Sequence, residues 1–171
     1  MRLLEVSVSD TCNDYISIDR HDQRGFVMKR EERAKKMAEV RKTMLGIYHA
    51  FEKLDAKLLD ENFSHTDDLL AFGTDWDEKF AGWKQYRDIH SVQFKAVKSF
   101  RFASRELEVH VGDGLAWAAD RPQWEIETKA GERLQSDMRV TAVLRWDVKK
   151  GRWLVVQWHV SLGLKERLHE Y

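Results

Sequence analysis

The residues with the most chemical potential lie close together in the run Gly151-Arg152-Trp153-Leu154-Val155-Val156-Gln157-Trp158-His159-Val160-Ser161. Side chains alternate between faces on an extended chain, so Leu154, Val156, Trp158, Val160 and Leu162 form one wholly apolar face. The other face is mixed and holds Trp153, Val155, Gln157, His159 and Ser161. On the preceding strand Arg139, Thr141, Val143 and Arg145 share one parity, and a mixed face built from both strands gathers Arg139, Gln157 and His159. Such a group suits an anion, a carboxylate or an enolate-like oxygen, because Arg donates in pairs and His carries a tunable proton. His159 can serve as a general acid or base, with an unperturbed pKa of about 6.5. It can equally be a structural imidazole bonded to backbone or to Ser161, and the mixed face can equally meet solvent or a second subunit.

His90 shares an apolar helical stripe with Phe80, Trp83, Tyr86, Phe94 and Val97. It reads either as a satisfied core histidine or as a group presented to a ligand beside Tyr86. The histidines at 21, 49, 65, 110 and 169 have no metal-ligand spacing, and Cys12 is the only cysteine. No protein-bound metal and no cofactor are expected.

These residues must be positioned by a chain of 171 residues, the size of one domain. Lys plus Arg and Asp plus Glu both total 29, so no net positive field draws in nucleic acid. The apolar fraction of 43%, with 7 Trp and 8 Phe, is too high for a disordered chain. A lone cysteine fits a reducing compartment, and the acidic Glu5 disfavours a signal peptide, so a cytoplasmic protein is expected. No apolar stretch reaches membrane-spanning length.

Residues 1–30 carry two β-like runs, Leu3–Val8 and Tyr15–Ile18, joined by a polar turn, and read as a hairpin extension. From Glu31 the period is helical, with Met37, Val40, Met44, Ile47, Phe51 and Leu54 on one stripe as far as Asp55. Leu58, Leu59 and Phe63 suggest a short second helix, Leu69–Phe72 a short strand, and Gly73-Thr74-Asp75 a turn. A third helix is expected between Asp77 and Lys98. Beyond it the period becomes two. Four long strands are expected: one through Leu107–Val111, then Leu115–Thr128, Arg133–Asp147 and Arg152–Gly163, forming an antiparallel meander. Helices first and strands afterwards predict an α+β fold.

This order resembles the SnoaL-like branch of the NTF2-like superfamily. The segments Tyr48–Asp55, Phe72-Gly73-Thr74-Asp75, Arg139-Val140-Thr141 and Gly151–Ser161 carry the resemblance. It implies a cone in which a curved, antiparallel-rich sheet wraps three N-terminal helices around a blind pocket, usually in homodimers built through the sheet. The domain is expected over 31–165, with a tail at 166–171. Related proteins often have His-x-His-x-Ser on the last strand, where this chain has Gln157 in the first position, so a two-histidine metal pair is not expected there. By resemblance to ketosteroid isomerase-like enzymes, Asp75 stands at the place of a carboxylate base and Tyr48 at that of a phenol donor. That mechanism also needs a neutral acid on a central strand, and Leu115–Ala119 offers none until Asp120. Asp75 is as readily a turn residue or helix cap.

Trp76 and Trp124 are the indoles expected in the pocket, with Tyr86 and His90 beside them. The resulting expectation is a pocket for an apolar or aromatic molecule, an acidic group included, gripped by Arg139, Gln157 and His159. Its catalytic form is a cofactor-free isomerisation, cyclisation or dehydration, with His159 or Asp75 as base. The alternative is an association module whose sheet joins subunits without catalysis.

Overall fold

The first apolar stripe forms α1 (Arg30–Lys53), on which Val40, Met44, Ile47, Tyr48 and Phe51 recur at three- and four-residue steps and are buried. The computed structural model describes residues 28–163. The expected hairpin runs and the tail from 166 lie outside the described residues. Leu54 ends α1 in the left-handed region, with φ 53, and its N–H bonds back to the Phe51 carbonyl. Asp55 then restarts the chain as a helix cap. Its carboxylate accepts from the Lys57 and Leu58 N–H groups at 2.9 and 3.0 Å, opening α2 (Ala56–Asp60).

Next come β1 (Leu70–Phe72) and β2 (Lys79–Ala81), an antiparallel pair joined by residues 73–78. Gly82, at φ 81, turns the chain into α3 (Trp83–Ala96), and β3 (Val97–Ala103) follows directly. The helix expected over Asp77–Lys98 is therefore shorter at both ends. Phe80 belongs to β2 and Val97 to β3, because Gly82 breaks the helical path and the stretch after Ala96 pairs with another strand.

The remaining strands are β4 (Glu108–Val111), β5 (Leu115–Asp120), β6 (Gln123–Thr128), β7 (Arg133–Asp147) and β8 (Arg152–Leu162). The single strand expected over Leu115–Thr128 divides at Arg121-Pro122, since proline supplies no N–H to a ladder. Among the described residues the four-stranded meander thus becomes an eight-stranded sheet ordered β2-β1-β8-β7-β5-β4, with β3 attached through β6. The long β7 is its axis. Residues 133–137 pair with β6, residues 140–145 pair with β5, and its other edge pairs with β8 from Met138 to Asp147. Among the described strands only β1 runs parallel to a neighbour, β8. Helices pack on one face of this curved sheet, which is the α+β cone expected from the sequence.

One irregularity decides which side chains face inward. Val143 pairs with Gln157 but Leu144 pairs with Val155, so Val156 is an extra residue in β8. Trp153 and Val155 belong to the core before this bulge, and Trp158 and Val160 after it. The inward set switches from odd to even numbers. Uniform alternation had placed Trp153 and Val155 on the face of Gln157 and His159, and the bulge corrects that.

Candidate functional site

Between α1, α3 and the inner face of the sheet lies a cavity of about 240 Å³. Its walls are mostly rings. Tyr48 and Phe51 come from α1, Tyr86 and His90 from α3, Phe100 and Phe102 from β3, Trp124 from β6 and Trp158 from β8. Met138, Val140 and Val160 complete the sheet side, while Phe72, Gly73, Thr74, Glu78 and Phe80 come from the β1–β2 hairpin. Phe51 is the hub, meeting His90, Phe94 and Phe100 edge-on at centroid distances of 5.0, 5.5 and 5.5 Å. Such edge-to-face contacts favour the aromatic quadrupoles and fix ring orientation.

His90 is a buried imidazole. Burial disfavours its charged form and lowers its pKa to about 4, against a smaller opposing effect of its hydrogen bond to Gln93. Nδ1 lies 3.0 Å from Gln93 Oε1, an acceptor, so the neutral ring carries its proton on Nδ1. Nε2 is then a bare acceptor, and it is buried without a hydrogen-bond partner. Tyr86 packs edge-on against this ring at 4.4 Å. Burial, aided by the negative charge of Glu78, raises the Tyr86 pKa and keeps its phenol protonated. Trp124 also lines the cavity and has a buried indole N–H with no partner.

Tyr48 contributes its ring to the cavity, stacked on Phe102 at 5.2 Å, but its hydroxyl is committed elsewhere. It donates to Asp120 Oδ2 at 3.1 Å, and burial together with the Asp120 charge raises the phenol pKa. Asp120 is itself buried, and its Oδ1 accepts from the Glu106 and Arg121 N–H groups at 3.1 and 2.8 Å. The pair ties α1 to the corner between β5 and β6. Asp120 is not among the cavity walls, and it occupies the Tyr48 hydroxyl.

Tyr48, Tyr86, His90 and Trp124 therefore meet in one cavity, whereas the other sequence candidates stand outside it. Val140 and Val160 are register partners and both line the cavity, so Arg139, Gln157 and His159 project from the opposite face. Arg139 Nη2 donates to the Leu162 carbonyl at 3.2 Å, and His159 meets Phe72 edge-on at 6.1 Å. The expected grip of Arg139, Gln157 and His159 on a pocket ligand is thus corrected by strand parity. Asp75 and Trp76 sit in the hairpin loop between β1 and β2. Trp76 is 97% exposed, and neither residue lines the cavity. That corrects the expectation of Trp76 as a wall and of Asp75 as a base inside the pocket.

Sequence reasoning missed Gln93 and Glu78. Gln93 lies three residues after His90 on a helix, a spacing that faces the two side chains together and could have been read. Glu78 is the only carboxylate among the cavity-lining residues, and no lysine or arginine joins it. Its Oε2 accepts from the Asp75 N–H at 3.1 Å. No signal marked it, because the expected helix placed it in a first turn instead of a hairpin. Among the described residues no cluster of three His, Cys, Asp or Glu side chains could hold a metal ion, and no helix is long and apolar enough to cross a membrane.

Comparison with known proteins gives the fold a wider setting. An NTF2-like superfamily protein from Salmonella enterica serovar Typhimurium is 16% identical, with a TM-score of 0.72 over 81% of this chain and 98% of that one. A proposed dehydratase of the NTF2-like family from Streptomyces avermitilis is 15% identical, with a TM-score of 0.69 over 77% and 98%. An NTF2-like protein of unknown function from Pseudomonas putida is 19% identical, with a TM-score of 0.66 over 80% and 93%. No curated protein sequence matches the chain. The SnoaL-like domain matches residues 40–165, from the middle of α1 past the end of β8 and across every wall of the cavity, and the chain belongs to that family.

Proposed function

We propose that the chain binds a small, uncharged, largely apolar molecule in this cavity. The observation that supports the reading is the composition of the walls, in which aromatic and aliphatic side chains surround a few polar atoms and no cation. An apolar cavity of about 150 Å³ already takes up benzene, so about 240 Å³ suits one or two fused rings. An acidic ligand, which the sequence left open, would find Glu78 and no arginine or lysine there.

A catalytic form of this reading would use Glu78 as base and the protonated Tyr86 as donor to a developing oxyanion. The proposed dehydratase of the same fold is compatible with such chemistry. Binding is the better supported of the two, because the composition of the walls favours it without any further assumption.

Thermal unfolding in the presence of naphthalene, a neutral naphthol or naphthoate tests the reading. A ligand at about 100 Kd stabilises the folded state by about 2.7 kcal/mol. The neutral compounds should raise the Tm and naphthoate should not. A shift with naphthoate alone, or with none of the three, rejects it.

Self-association through the outer sheet face is a second reading. Leu115 and Trp117 are 49% and 51% exposed on β5, and His110 stacks on Trp117 at 5.3 Å. Light scattering should report a homodimer at micromolar concentration that weakens in Trp117→Asp, and a monomeric parent chain would reject this reading.

A further inference from the structure

The mouth of the cavity is marked by side chains that line it and still meet solvent. Phe72 and Thr74 do so from the β1–β2 hairpin, and Ile89 and Val92 from α3, with Val92 63% exposed. Single apolar side chains on a surface need no explanation, but three gathered at the opening of an apolar cavity form a patch. Trp76 belongs to the same place. It lies two residues from Thr74 and two from Glu78, both of which line the cavity. Consecutive Cα atoms are about 3.8 Å apart, so its own Cα is within about 7.6 Å of each of theirs. Its indole is 97% exposed, so it gains almost nothing from the fold.

The loop that carries this indole is tied to itself. Gly73 N–H donates to the Glu78 carbonyl at 3.0 Å, Glu78 N–H to the Asp75 carbonyl at 3.1 Å and Lys79 N–H to the Asp77 carbonyl at 2.9 Å. The Glu78 carboxylate closes the loop by accepting from the Asp75 N–H at 3.1 Å. The backbone beneath Trp76 is therefore held, and the side chain is free to rotate, a motion of picoseconds to nanoseconds for an exposed residue. A ring compound in the cavity presents its outer edge between the hairpin and α3. That edge, with Ile89 and Val92 beside it, is an apolar surface within reach of the indole.

We infer that Trp76 is the lid of the cavity: when a flat, apolar ligand enters, the indole turns from solvent over the mouth and packs on the ligand's outer edge and on Ile89 and Val92. This rests on the reading of the cavity as a ligand site and adds the residue that closes it. The contacts of the lid exist only with ligand in place, so Trp76 slows escape more than it speeds entry. An indole face also favours a planar aromatic ring beneath it.

Fluorine NMR of the full chain labelled with fluorotryptophan, titrated with naphthol, tests this. The seven tryptophans give seven resonances, and single phenylalanine variants assign those of Trp76, Trp124 and Trp158. The Trp76 signal should shift between light and heavy water and lose most of that shift at saturating naphthol. Trp124 and Trp158, as cavity walls, should respond to naphthol as well, whereas Trp117 on the outer sheet face keeps its solvent shift. In calorimetry Trp76→Ala should bind naphthol about 10-fold more weakly than the parent, the size expected for burying roughly half an indole less the cost of ordering its side chain. Its unfolding midpoint without naphthol should match the parent, because the side chain touches almost nothing. If Trp124 and Trp158 respond while Trp76 keeps its solvent shift, or if Trp76→Ala binds as tightly as the parent, the lid is overturned and the cavity reading survives. If naphthol moves no tryptophan signal and gives no binding isotherm, both are overturned.

Discussion

Acidification should destabilise this protein through His90 in a way that one substitution removes. In the unfolded chain the imidazole titrates near 6.5, and in the folded chain it titrates near about 4, because burial among Phe51, Tyr86 and Phe94 penalises the cation. Between those values the unfolded state binds more protons than the folded state, so stability falls as pH falls. The contribution is fully present above the unfolded value, declines by up to about 1.4 kcal/mol per pH unit below it, and is lost once the pH passes the folded value. The whole window is worth about 3 kcal/mol. Glu78, the one carboxylate on the same cavity, could offset part of this if it lay against the imidazole, but its charge acts on Tyr86.

The assay is urea denaturation of the parent chain and His90→Phe at intervals from neutral pH down to about the folded-state value. Asp68, Asp88 and Glu127, whose pKa values are lowered by hydrogen bonds from Thr66, Lys84 and Lys98 respectively, also lose stability in acid. They are common to both proteins and cancel in the difference. The stability of the parent relative to the variant should therefore drop by about 3 kcal/mol across the window. A difference that stays flat, or an imidazole NMR titration centred near 6.5, would refute the reasoning.

Three other outcomes follow from the geometry. Tyr48→Phe leaves Asp120 Oδ2 buried without its donor and should cost about 1.5–3 kcal/mol in chemical denaturation; Asp120→Ala, which orphans the phenol and two backbone N–H groups, should cost more. Gly73→Ala puts a methyl group against the Glu78 carboxylate and should displace it from the cavity rim, seen as a changed Glu78 carboxyl signal in NMR with the core signals unmoved. Arg139→Ala and His159→Ala should leave naphthol binding within about twofold of the parent, since both residues project from the far face of the sheet. A tenfold loss in either variant would return them to the ligand site.

Much of the architecture is legible in local pattern. The stripe of α1 is set by Val40, Met44, Ile47 and Phe51, and the bounds of β7 coincide with the alternating run from Arg133 to Asp147. The misreadings occur where neighbours in space outvote neighbours in sequence. Phe80 and Val97 fit a helical stripe with Tyr86 and His90, yet β1 takes Phe80 into a hairpin and β6 takes Val97 into a ladder. Strand pairing contributes hydrogen bonds that no window of one segment can register.

The candidate site divides in the same way. Residue chemistry alone marked Tyr86, His90 and Trp124 as able to meet a ligand, and helical spacing put Tyr86 and His90 on one face. Charge balance, the resemblance to SnoaL-like domains and the order of helices before strands were also present in the chain itself. Only the tertiary structure decided which sheet face is inward, because period-two alternation defines two faces without distinguishing them, and one extra residue at Val156 exchanges their numbering partway along β8. It likewise committed the Tyr48 hydroxyl to Asp120, 72 residues away in the chain, and left the His90 and Trp124 nitrogens unpaired, since partners that distant are fixed by packing.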